Sequence, residues 1–167
     1  MSVSNSANFF CDLGPTSSPW TLVGPNPDAN MLQCIGLVSS VAVHPTNENI
    51  IYVGTEHSGL WKTTNGGGSW SNIIDNSGVS GIPSLGMSAI SIDPNNPNTI
   101  VVGTTTRSFK YPDWQESTYG YGILRSTDGG SSWSSTVSTG ANDDYWHIKS
   151  IKRHPTNSNI LVAAGNK

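Results

Sequence analysis

Charge is scarce in this chain. Asp, Glu, Lys and Arg make up only 11% of its 167 residues and the formal net charge is −3. No basic surface is available to neutralise a run of phosphates, so nucleic acid is excluded as an expected partner. Long apolar runs are missing too: none approaches the ~18 residues that mark a membrane-spanning helix, and no membrane insertion is expected. The opening stretch MSVSNSANFFCDLGP has neither a basic n-region nor an apolar h-region, so it does not read as a secretory signal. There are 2 cysteines, Cys11 and Cys34. They either pair in an oxidising compartment or remain two free thiols, and their spacing fits no metal site. No metal and no cofactor is expected.

What the chain does have is a repeated turn. Residues 59–70 read GLWKTTNGGGSW and residues 120–133 read GYGILRSTDGGSSW. The two copies align Thr63, Asn65, Gly67 and Trp70 with Ser126, Asp128, Gly130 and Trp133. An Asp or Asn at a hairpin corner accepts hydrogen bonds from backbone N–H groups one to three residues on, and glycine supplies positive φ without a Cβ penalty. The Trp that follows starts a strand, where a large ring is buried against a neighbouring sheet. Asn65 cannot take up or release a proton, so the position it shares with Asp128 reads as structural, not catalytic.

Each turn is preceded by a second repeated pattern. VSSVAVHPTNENIIYVGT (38–55), MSAISIDPNNPNTIVVGT (87–104) and IKSIKRHPTNSNILVAAG (148–165) are β-rich segments folded about a His-Pro or Asp-Pro turn. Together the two patterns resemble the Asp-box, or bacterial neuraminidase repeat, of β-propellers in sialidases, sortilin-type receptors, xyloglucan-cleaving endoglucanases and large secreted bacterial proteins. The resemblance covers nearly everything after Gly36. It implies an all-β fold, a β-propeller segment of four-stranded antiparallel blades, and a secreted or cell-surface location.

On this reading residues 1–19 are an irregular leader and residues 20–167 a partial propeller. A leading strand starts at Trp20. The first blade spans 37–74, with strands at 37–43, 50–55, 59–63 and 70–74. The second spans 87–137, with strands at 87–92, 99–104, 122–126 and 133–137, and half a blade follows at 148–164. Trp70 lies 25 residues after Pro45 whereas Trp133 lies 39 after Pro94, which places a 14-residue insertion at about 107–119, read as a long loop. Some two and a half blades fall short of the 4–8 that close a propeller. The expected partners are therefore the remaining blades of a longer chain, or further copies of this one.

Antiparallel parity sorts the connections. The Pro turns and the repeated turns share one end of each blade, where His44, Asp93 and His154 read as turn-formers. The opposite end carries what does not repeat. Glu56 and His57 lie there, as does the insertion with Phe109, Tyr111, Trp114 and Tyr119, whose rings would either stack on sugar faces or pack the loop onto its own blade. The stretch from Asp143 to His147 adds Trp146. In the xyloglucan-cleaving family a Thr-Asp-x-Gly-Gly pattern carries a catalytic carboxylate, and Thr55-Glu56-His57-Ser58-Gly59 resembles it with Glu for Asp and Ser58 for the first Gly. Glu56 is thus the one catalytic candidate, set against its reading as an exposed loop residue. Sialidase chemistry is not expected, because the Arg-Ile-Pro signature is absent and Gly81-Ile82-Pro83 lacks the arginine. The expectation is a non-catalytic segment that recognises a polysaccharide or glycoprotein through Trp114, Tyr111, Glu56, His57 and Trp146. Its alternative is the N-terminal part of a polysaccharide-degrading glycoside hydrolase.

Overall fold

The computed structural model describes residues 37–74, 86–110, 115–119, 122–137 and 147–166. The leader, the Trp20 strand and both cysteines lie outside them, as do Tyr111, Trp114 and Trp146. Every described element is a strand. The first sheet is the meander β1 (Val38–Val43), β2 (Ile51–Thr55), β3 (Leu60–Thr63) and β4 (Ser71–Asn72), in that order and antiparallel throughout. The second repeats it with β5 (Gly86–Ile92), β6 (Ile100–Lys110), β8 (Ile123–Ser126) and β9 (Ser134–Val137). A third begins with β10 (His147–Arg153) paired to β11 (Leu161–Asn166).

Two expectations change. The insertion is not a plain loop: β6 runs on to Lys110, and β7 (Gln115–Tyr119) pairs back along it from Lys110↔Gln115 to Thr106↔Tyr119. Thr, Ser, Phe and Tyr dominate these two arms, so the β preference of β6 continues past the blade and the extra residues close as a ribbon. The fourth strand of the first blade is shorter than expected, because the Asn72 side-chain Oδ1 accepts the N–H of Ile74 at 3.0 Å and bends the chain out of the ladder.

The Pro turns are alike in all three hairpins. His44 N donates to Ile50 O, Asp93 N to Thr99 O and His154 N to Ile160 O, each at 2.9 Å. The side chain at the corner accepts a local N–H: His44 Nδ1 from Thr46 at 3.3 Å, Asp93 Oδ1 from Asn95 at 2.9 Å, His154 Nδ1 from Asn157 at 3.2 Å. Burial alone would raise the Asp93 carboxyl, but the Asn95 N–H, Ser158 and Arg153 outweigh it and hold the group below its ordinary range.

The repeated turns are closed by their own side chains. Thr63 Oγ1 accepts the N–H of Gly67 at 3.0 Å and donates to Asn65 Oδ1 at 2.9 Å, and that oxygen also receives the N–H of Ser69 at 2.8 Å. Ser126 Oγ and Asp128 Oδ1 repeat the arrangement, with Gly130 N at 2.9 Å and Ser132 N at 2.9 Å. Gly67 and Gly130 adopt φ of 97° and 94°, which a Cβ would oppose. The Ser132 hydroxyl and N–H, then Ser126, push the Asp128 carboxyl well below the usual carboxylate range. Each turn is tied to the Pro turn of its own blade, Gly66 N to Asn49 O and Gly129 N to Asn98 O, both at 3.0 Å. The two turn types therefore share one end, as parity requires.

The core lies between sheets. Tyr52, Leu60 and Ile74 of the first pack against Met87, Ile100, Val102, Leu124 and Trp133 of the second. Val101 points the other way and joins Ala89, Ile148 and Ile151 at the next junction. An unbroken Ile-Val-Val run in β6 is what a strand covered on both faces needs. By contrast Val41 on β1 and Val162 on β11 remain 59% and 65% exposed. At the turn end the first junction is pinned by Tyr52 Oη and Lys62 Nζ, which donate to the Gly129 carbonyl at 3.2 and 2.9 Å. At the other end a bulged serine does this work. Ser39 Oγ bonds Gly54 O and, across the junction, Met87 O; Ser88 Oγ bonds Gly103 O and then Ile148 O. Gly103 must be glycine here, since a Cβ would stand 2.5 Å from Ile148 Cγ2.

Candidate functional site

The end opposite the repeated turns is built on a threonine clasp. Thr55 N and Oγ1 both donate to Gly59 O, at 3.0 and 3.1 Å, and Thr104 N and Oγ1 both donate to Gly122 O at 2.9 Å. Gly59 and Gly122 close the clasps with φ of 72° and 76°. Both connections between the second and third ladder strands thus hang from one device. In the first blade it holds only Glu56, His57 and Ser58; in the second it holds the whole inserted ribbon. The recurring Gly-Thr at 54–55 and 103–104 and the later glycine were the signal for this clasp, which the motif reading passed over.

The short loop is braced from several sides. Ser58 N donates to Thr55 Oγ1 at 3.0 Å, and Ser58 O receives both Trp61 Nε1 and Asn72 Nδ2 at 2.9 Å. Glu56 N donates to Leu37 O at 2.9 Å, extending the β1–β2 ladder by one bond. Glu56 is half-buried and His57 exposed. The arrangement presents a carboxylate and an imidazole from a three-residue loop in which the Glu56 N–H, the Ser58 N–H and the Ser58 carbonyl are already engaged. Such a loop loses little entropy on meeting a ligand.

Glu48, Asp93 and Asp128 belong to the turns at the opposite end, whereas Glu116 lies on β7 of the inserted ribbon, opposite Phe109. The described residues contain no cluster of three or more His, Cys, Asp or Glu suited to a metal, and no helix long and apolar enough to cross a membrane. Of the expected contacts the structure brings Glu56 and His57 into one loop. Tyr111, Trp114 and Trp146 fall outside the described residues.

Successive antiparallel meanders packed one on the next define a class: the chain is a segment of a β-propeller. Among solved structures it is similar to an ancestral GH74 enzyme at 26% identity and a TM-score of 0.59, covering 75% of this chain and 16% of that one. A GH74 enzyme from Niastella koreensis matches at 26% identity over 68% of this chain and 15% of that chain, with a TM-score of 0.48. The GH74 xyloglucanase from Xanthomonas campestris matches at 17% identity, with a TM-score of 0.45, over 66% and 16% of the two chains. The chain thus spans about a sixth of the length of these proteins. No protein-family model and no curated protein matches the sequence.

Proposed function

We propose that this chain is an Asp-box portion of a secreted β-propeller that acts on polysaccharide, and that Glu56 is the carboxylate it contributes to the glycan site. The observation that carries this reading is the Thr55–Gly59 clasp: a half-buried carboxylate on a braced loop, at the end of the blade where nothing repeats. The likeness to an ancestral GH74 enzyme favours hydrolysis over recognition alone, and Glu56 is then the general acid or base on one side of the scissile bond. His57 is its neighbour in the loop, and Tyr111, Trp114 and Trp146 are the proposed sugar-stacking contacts. Residues 20–167 form one propeller portion, and the apolar faces of β1 and β11 are covered by further blades or by another copy of the chain.

A second reading, non-catalytic glycan recognition, is favoured by one observation: Glu56 and Ser58 stand where the xyloglucan-cleaving pattern has Asp and Gly. The native protein is assayed on xyloglucan by reducing-end release and, in parallel, by polysaccharide affinity electrophoresis. Glu56→Gln is expected to abolish release while leaving retardation intact. Retardation without any release by the wild type selects the second reading, and wild-type release by Glu56→Gln removes Glu56 from the chemistry.

A further inference from the structure

The Glu56 loop is braced by its own blade, but it also leans on the next one. The contact there is Gly86, the first residue of β5, which is buried and paired with Thr105. A Cβ at Gly86 would stand 2.7 Å from Thr105 O and 2.9 Å from the carbonyl carbon of Glu56, and would run into Glu56 O. All three are main-chain atoms, so no change of rotamer makes room. Gly86 has no positive φ, so the site demands glycine for space and not for conformation. The same register in the other two inner strands carries side chains. Matching the bulges at Ser39, Ser88 and Lys149 aligns Gly86 with Leu37 and His147. The side chain is dropped where Glu56 crosses the junction.

We propose that Gly86 is a positioning residue for Glu56: its missing side chain lets the backbone of residue 56 seat against β5 and so fixes where the carboxylate stands. The inference rests on the reading of Glu56 as the glycan-site carboxylate. A Cβ at 86 displaces the Glu56 carbonyl by a sizeable fraction of an ångström, and with it the root of the side chain. Misplacement of a catalytic group by about 1 Å costs on the order of 100-fold in rate.

The test is Gly86→Ala in the native protein, beside Glu56→Gln and Gly103→Ala. The last adds a comparable clash at the junction away from the Glu56 loop, against Ile148. Xyloglucan release is expressed per folded molecule from near-UV circular dichroism, so a partly unfolded variant still reports. Amide exchange of Glu56, whose N–H donates to Leu37 O, is followed alongside. Gly86→Ala is expected to lower kcat about 10- to 100-fold with KM nearly unchanged and to speed exchange at Glu56. Gly103→Ala is expected to lower the melting temperature and keep both kcat and that exchange rate. Wild-type kcat in Gly86→Ala, with Glu56→Gln inactive, overturns the positioning role. If Glu56→Gln is fully active the catalytic reading fails by itself, and exchange then decides about Gly86: unchanged protection at Glu56 overturns the proposal, and accelerated exchange confined to Gly86→Ala supports its structural half.

Discussion

Replacing Trp133 by alanine should destabilise the protein more than replacing Trp70, although the two occupy the same position of the same motif. Trp133 is buried in the junction with Tyr52, Leu60, Ile74 and Leu124, and its Nε1 donates to Gly130 O at 3.2 Å. A buried Trp removes some 150–250 Å² from water, and at about 25 cal/mol per Å² that is roughly 4–6 kcal/mol, an upper bound because the unfolded chain already hides part of its apolar surface. Aromatic-to-alanine truncations in cores cost about 3–5 kcal/mol, so about 4 kcal/mol is the expected loss for Trp133→Ala. Trp70 is only partly buried, and on the same area scale its removal should cost about 2–3 kcal/mol. Urea unfolding followed by far-UV circular dichroism gives both values without depending on tryptophan emission. Equal losses in the two variants would refute the assignment of Trp133 as the wedge between blades, and a larger loss at Trp70 would reverse it.

Three further outcomes follow from the turn end. Tyr52→Phe and Lys62→Met each remove one of the two donors to Gly129 O and should cost about 0.5–1.5 kcal/mol singly; a double-mutant cycle should show the pair costing more than the sum, because the last donor to that carbonyl is then gone. Burial holds the Tyr52 phenol up at about 12; as a raised group it stabilises fully below its unfolded value near 10 and loses that contribution as pH climbs through the folded one, so Tyr52→Phe should flatten alkaline unfolding. Asp128 has the opposite sign. Its carboxyl is depressed, first by the Ser132 hydroxyl, so its contribution is present above the unfolded value of about 3.9 and fades as pH falls toward the folded one. Asp128→Asn, which copies the natural Asn65 turn, should remove that acid-limb dependence in pH-resolved thermal melts, and an unchanged acid limb would contradict the hydrogen-bond account.

The amino-acid sequence by itself determined what is local. The links from Thr63 to Asn65 and Gly67, and from Ser126 to Asp128 and Gly130, span two to four residues, so their residue types and spacing are written contiguously and can be read without coordinates. The Pro turns and the sorting of connections to two ends are legible for the same reason: a meander of antiparallel strands has only one parity. Glu56 was found because it stands where the repeat stops matching. Tertiary structure decided everything at the junctions. Ser39 reaches Met87 across 48 positions, Ser88 reaches Ile148 across 60, and Tyr52 reaches Gly129 across 77. Which tryptophan is buried, why Gly103 cannot carry a methyl group and why Gly86 lies against Glu56 depend on how close one backbone comes to another in the next sheet, a distance that no spacing along the chain encodes. The inserted ribbon stands between the two: its place and length were legible from the spacing, but its strand pairing, with Phe109 opposite Glu116, is set by a strand that already belongs to the blade.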